Sequence, residues 1–324
     1  LIRLALVLSL LLSALPVSAM AAGAPFLWEV YGPKTKHYLL GSVHLLPQAS
    51  AQWPAEIADA YDHADGVIFE ADIGQLSSPQ TGLALLAAAK SSKGLRSEID
   101  AATYAQLGQK LIQDSLPPAL CDAYKAWFCA LSIEIAEYKK AGFSGDYGLD
   151  RQIYEAAMTD GKPVHGLETV TQQVSLFVDM PEALSRQFLS AELADGEGLE
   201  SPAAVYRAWK NNDVDALAAN AAKLKASFPR VYARLLSDRN RAWLPRLKPW
   251  LDGDRPQLIV VGAAHLVGPD GLVAQLSARG YRVLPYLSAE PALVTQAPPA
   301  SGAQPPLILA HAGALLAGMA ATVR

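Results

Sequence analysis

The chain is 324 residues long, 51% hydrophobic and 18% charged, with a net charge of -4. That is ample apolar material for a packed core and argues against wholesale disorder. No stripe of Lys and Arg with interleaved aromatics stands out, so nucleic acid is not expected as a partner.

In chain order, the opening reads as an export signal. Arg3 gives a positive start and residues 4–15 an apolar stretch; Val17-Ser18-Ala19 and Ala19-Met20-Ala21 are both small-residue cleavage patterns. A membrane anchor that is never cut is the alternative. Residues 1–22 are assigned to this segment. Residues 23–290 form the domain, expected to work outside the cytoplasm, in the periplasm or beyond the cell. Residues 26–31 and 37–41 are short β-like runs around the turn Gly32-Pro33-Lys34. Ser50 is placed to cap a helix over 53–63. Gly66-Val67-Ile68-Phe69 reads as a buried strand that delivers Glu70 and Asp72 at its end.

Helices dominate from about residue 95 to 250. Asp100 caps a run to 113, Pro117-Pro118 breaks it, and 120–140 is the clearest long helix. That helix would hold Cys121 and Cys129 about 12 Å apart by helical rise. The gap is too wide for a disulfide, so both are read as core thiols. A helix carrying Asp150 runs to about 158. Residues 162–167 read as a strand ending in Glu168, with Thr169 as the next N-cap. Further helices are expected over 202–211, 213–224 and 228–247. Residues 257–261 are a strand, 269–279 a short helix and 281–286 a final strand. Residues 291–306 are a Pro- and Ala-rich linker. Residues 307–324 are an apolar tail, slightly short for a spanning helix of about 20 residues. The tail is expected either to associate weakly with a membrane or to be disordered or loosely docked. The fold class is α/β (α+β in detail), a central mixed sheet with a large helical insertion packed over it.

Two phrases share one design, Gly41-Ser42-Val43-His44 and Gly262-Ala263-Ala264-His265, each after an apolar run. Random placement of 23 glycines and 6 histidines gives roughly 0.4 Gly-x-x-His matches. The shared strand context is what lifts two matches above chance. His44, Glu70, Glu168 and His265 all fall at or just past a strand end, where sheet-based sites form. Two imidazoles with one or two carboxylates suit a divalent ion (Zn, Mn, Co or Fe) that would activate water against a carbonyl. Without metal, the same groups could serve as acid, base and orienter. Plainer readings stand beside these. Glu70 could be a structural ion pair, Glu168 an acceptor for helix-start amides, and Tyr147 and Asp150 helix caps. Arg239 and Asn240 lie on the last long helix, where Arg239 could pair with Glu70 or hold an oxyanion. His37, His63 and His165 lack such context and are read as structural or exposed.

These residues carry a resemblance. Leu27-Trp28-Glu29-Val30, residues 38–46 and residues 67–72 resemble the opening of the TraB/GumN family. Tyr147-Gly148-Leu149-Asp150, Gly166-Leu167-Glu168-Thr169, Asp238-Arg239-Asn240 and residues 261–266 continue the resemblance in order. It spans residues 26–286. Lys125-Ala126-Trp127 departs from the Lys-Pro-Trp common in relatives. The resemblance implies a metal-dependent hydrolase like the Tiki proteases, with His44, His265, Glu70 and Glu168 around the ion. More remote relatives are erythromycin esterases and haem-binding lipoproteins. The expectation is an exported hydrolase of peptide or ester bonds, with Glu70, Arg239 and Asn240 in catalysis. The rival is a pocket that holds haem or another small ligand without catalysis.

Overall fold

The computed structural model describes residues 26–48, 53–194 and 201–286. The signal segment, linker and tail expected from sequence lie outside the described residues, as does Ser50. The strands are β1 (Leu27–Tyr31), β2 (Lys36–Ser42), β3 (Leu46–Pro47), β4 (Gly66–Phe69), β5 (Phe143–Ser144), β6 (Val164–Gly166), β7 (Gln257–Gly262) and β8 (Arg282–Pro285). The main sheet runs β6-β4-β7-β2-β1-β8. Its first four strands are parallel neighbours, and β1 lies antiparallel between β2 and β8. The sheet is mixed and carries both Gly-x-x-His phrases.

The central strands are continuous apolar runs because both faces of the sheet are covered. Leu39, Ile68 and Ile259 point into one core cluster, and Leu40, Val67 and Val260 into the other. The helices are α1 (Ala55–Asp62), α2 (Ile73–Leu76), α3 (Pro79–Ala89), α4 (Ala101–Gln113), α5 (Ala126–Lys140), α6 (Leu149–Asp160), α7 (Val170–Val178), α8 (Glu182–Leu193), α9 (Pro202–Lys210), α10 (Val214–Ser227), α11 (Pro229–Tyr232), α12 (Asp238–Leu251) and α13 (Leu272–Ser277). Ile57 of α1 and Ile153 of α6 fill the second cluster. Trp127 of α5, Leu189 of α8 and Trp243 of α12 fill the first. The helical insertion thus packs over one face, while α6 and β6 return the chain to the sheet. Among the described residues, no helix is long and apolar enough to cross a membrane.

Local signals set several boundaries. Asp100 accepts from the amides of Ala102 and Thr103. Thr169 and Gln172 form a capping box. The long helix differs from expectation: it begins at Ala126, not near 120. The preceding segment pairs instead with residues 89–95. Ser91 N–H donates to Ala123 O, Leu95 N–H to Asp122 O, and Lys125 N–H to Ala89 O. Backbone groups spent on that pairing are not available to a helix. The turn carries Cys121 back to a Cα separation of 5.6 Å from Cys129, and the two form a disulfide. The reading of two core thiols is thereby corrected. His37 is fully buried at the far edge of the sheet, with its ring bonded to Leu251 O and Gln257 N, and is structural.

Closing so short a loop should contribute about 2–3 kcal/mol. Reduction, or Cys121→Ser with Cys129→Ser, should lower the urea-unfolding free energy by that amount. Two free thiols in the purified, unreduced protein would contradict the assignment.

Candidate active site

Parallel strands all end at one edge of a sheet, so their loops converge there. β2 leads to His44, β4 to Glu70, β6 to Glu168 and β7 to His265. In sheet order the carboxylates lie on one side and the histidines on the other. The two motif glycines have different reasons. A side chain at Gly41 would strike Phe26 Cδ1 at 2.4 Å, so Gly41 serves packing. A Cβ at Gly262 would fall 3.3 Å from Glu70 Oε1, 3.6 Å from His44 Nε2 and 3.6 Å from His265 Cδ2. Gly262 therefore leaves open the point on which three of the expected site residues converge. Trp209 of α9 holds the first motif from the helical side, donating to Gly41 O at 2.7 Å.

Arg239 sits behind that point, 9% exposed. Its Nε and Nη2 grip Glu168 Oε1 and Oε2, each at 3.0 Å. Nη2 also reaches Glu70 Oε2 at 2.5 Å, and Nη1 faces His265 Nε2 at 3.0 Å. The aim comes from a π-turn, Ala233–Ser237, in which Asp238 N–H bonds Ala233 O five residues back. π-turns inside helices recur at functional sites. This one puts Arg239 and Asn240 on the buried face and leaves Asp238 and Arg241 in solvent. Trp243, one turn on, donates to Glu168 Oε1 at 2.9 Å and lies under the guanidinium at 4.7 Å.

Two contacts assign the tautomer of His265. Asn240 Nδ2 donates to His265 O at 3.0 Å and Asp270 O at 2.8 Å, so its Oδ1 is an acceptor. His265 Nδ1 therefore donates to Asn240 Oδ1 at 2.7 Å, and Nε2 keeps the lone pair that faces Arg239. Burial, helped by the Arg239 charge, lowers His265 to about 3, against the opposing pull of Glu70. His265 is a neutral structural member of the frame.

Glu70 is held ionised. Burial is the largest single effect and would raise its pKa, but the Arg239 charge, the protonated His44 and the Gly262 amide at 2.7 Å act together to lower it. The net shift is well downward. Gln173 Nε2 donates to Glu70 Oε2 at 3.1 Å.

His44 is the opposite of His265. Its side chain is 52% exposed, and Nδ1 lies 2.7 Å from Asp150 Oδ2. Asp150 is the largest cause raising its pKa to about 9, against the cost of desolvation. Asp150 can reach it because α6 starts tight against the motif. Leu149 N–H donates to Val43 O, and a Cβ at Gly148 would meet His44 O at 2.3 Å.

A cavity of about 260 Å³ opens at this edge. His44 and Glu70 line it; Asp150, Ser42 and Gln173 do too. Glu168, Arg239, Asn240 and His265 stand behind as support. All six expected residues thus gather at one edge, two lining the cavity and four behind it. Among the described residues, no three His, Cys, Asp or Glu side chains are gathered as metal ligands would be. The donor chemistry explains why. Glu168 spends both oxygens on Arg239, with Trp243 also on Oε1; Glu70 Oε2 is taken by Arg239 and Gln173; His265 Nε2 faces a guanidinium N–H. As arranged, the expected ligands do not fit a shared divalent ion, because Arg239 already holds Glu168, Glu70 Oε2 and the His265 Nε2 lone pair. Sequence reasoning missed Gln173, whose place in α7 carries no signal, and left Asp150 open between a helix cap and a site residue.

Fold and site define a three-layer α/β protein with a His–Asp pair and an arginine-locked carboxylate frame at the C-terminal edge of a parallel sheet. The chain belongs to the TraB/PrgY/gumN family, whose model matches residues 26–285. It is similar to uncharacterized protein YbaP of Escherichia coli (strain K12), 26% identical over 272 residues, covering 80% of this chain and 96% of that one. The Shigella flexneri protein of the same name matches to the same extent. No solved structure matches the chain significantly.

Removing the central cation should be costly, because Glu70 and Glu168 would remain as buried, unpaired charges. Arg239→Met should lose about 3–5 kcal/mol in urea unfolding. Adding Glu70→Gln and Glu168→Gln to that variant should recover part of the loss. A loss below about 1 kcal/mol for Arg239→Met would contradict the arrangement.

Proposed function

We propose that this protein is an exported hydrolase of peptide or ester bonds in which His44 is the acid–base group. The observation that carries the reading is the His44–Asp150 pair opening onto a cavity beside an ionised Glu70. Asp150 fixes the ring by its Nδ1 and leaves Nε2 toward the point left open by Gly262. A water held between His44 Nε2 and Glu70 Oε1 would give its proton to His44 as it attacks a carbonyl. His44 would then return that proton to the leaving group. Arg239, Glu168, Asn240 and His265 position Glu70 and touch no substrate, so Arg239 is a carboxylate partner and not an oxyanion clamp. No step runs through a metal, for the donor reasons given above. The disulfide supports the export reading, since such bonds persist in oxidising compartments.

Binding without catalysis is the second reading, and the cavity limits what could bind. At about 260 Å³ it lies below the roughly 300–1,000 Å³ of drug-sized sites. It suits a small molecule or the end of a larger one rather than a haem macrocycle.

Turnover of a mixed peptide library and of p-nitrophenyl esters tests the hydrolase. His44→Ala should lower kcat/KM by about 10²–10⁴-fold. Unchanged turnover in that variant would sink the assignment. Since His44 keeps its proton up to about 9, the base form grows with pH. Activity should climb through neutral pH, reach half its maximum near 9 and level off above that. Asp150→Asn removes the largest raising cause, so the rising limb should move down toward 6.5. EDTA should leave turnover intact; loss of activity restored by Zn or Mn would show that an ion displaces Arg239.

A further inference from the structure

Two buried polar atoms on the cavity wall have no hydrogen-bond partner, Ser42 Oγ and Gln173 Oε1. Buried polar groups are nearly always paired, so each such atom asks for an explanation. For Gln173 the chemistry is directional. Glu70 is ionised and can only accept, so Gln173 must turn its NH2 toward Glu70 Oε2. Its Oε1, an acceptor only, is thereby turned away from Glu70 and left buried and unpaired in a residue that lines the cavity. The chain of cause runs from Arg239 through Glu70 to the side-chain amide.

Ser42 is 2% exposed and pairs in register with Gly262. Parallel neighbours lie about 4.8 Å apart and share a face. The hydroxyl therefore stands beside the point left open by Gly262. One step down the strands, Phe69 and Val260 form an apolar floor. A hydroxyl can donate or accept. The cavity thus offers an acceptor, a hydroxyl and an apolar floor.

We propose that this cavity is a recognition subsite for a neutral group carrying an N–H or O–H donor beside an acceptor, with Gln173 Oε1 taking the donor and Ser42 the acceptor. A purely apolar or acceptor-only group leaves Gln173 Oε1 buried and unpaired. An anion meets the Glu70 and Asp150 carboxylates on the same wall; the His44 imidazolium there is already paired with Asp150, and Arg151 is bonded to Glu155 at 2.7 Å. The subsite stands apart from the hydrolytic reading, because it concerns what enters the cavity and not what happens there.

Three fragments of nearly equal size separate the cases: acetamide (donor and acceptor), acetone (acceptor only) and acetate (anion). Each is titrated into the isotope-labelled full chain while the assigned NMR resonances of Ser42 and Gln173 are followed. Acetamide should saturate and shift both residues. Acetone and acetate should bind at least about tenfold more weakly, the cost of an unpaired buried acceptor. Ser42→Ala should weaken acetamide about fivefold or more without changing the melting temperature. Acetone binding as tightly as acetamide, or acetamide leaving Ser42 and Gln173 unshifted, would overturn the proposal. The wild-type comparison decides by itself if the variant does not fold. Because no turnover is read, failure here is distinct from failure of the hydrolase.

Discussion

One buried cation organises the whole C-terminal edge of the sheet. Arg239 holds Glu168 with both prongs of its fork, reaches Glu70 with the same nitrogen, and offers Nη1 to His265. Desolvating a guanidinium and two carboxylates is expensive, and only dense pairing offsets it. Here every charged atom has a partner, down to the Trp243 indole on Glu168 and the Gly262 amide on Glu70. The network does not need to be a large source of net stability. Its effect is to hold Glu70 ionised and to fix which end of the Gln173 amide faces it.

That constraint separates two histidines that look alike in sequence. His265 ends β7 and turns inward, where burial and the guanidinium keep it neutral. His44 lies past β2 at the cavity mouth, where Asp150 keeps it protonated up to about 9. The paired motif therefore supplies one group that can move a proton and one that cannot. Gly262 completes the division by contributing space, since any side chain there would occupy the meeting point of Glu70, His44 and His265.

Much of this was legible in the residues. The apolar runs ending in Gly-x-x-His, Glu70 and Glu168 marked strand ends correctly, because a sheet covered on both faces imposes continuous apolar stretches. The convergence of four such ends followed once the strands were parallel. What escaped was set by contacts between distant segments. The 120–125 stretch has helical periodicity, yet its backbone pairs with residues 89–95, and the resulting turn leaves Cys121 close enough to bond Cys129. The four-ligand metal set followed from residue type and strand position. It could not show that Arg239 would hold Glu70, Glu168 and His265, because that depends on a π-turn which re-phases its helix. Asp150 is indistinguishable from a helix-start acid until α6 is seen packed on Val43.

The most direct test of the Arg239-centred account is the protonation state of the two histidines. A long-range proton–nitrogen NMR spectrum of histidine-labelled protein reads it from the ring nitrogens. The account predicts a His265 with its proton on Nδ1 and a bare Nε2, unchanged as pH falls through 6.5. His44 should carry protons on both nitrogens at neutral pH. A His265 that titrates near 6.5, or that holds its proton on Nε2, would contradict it.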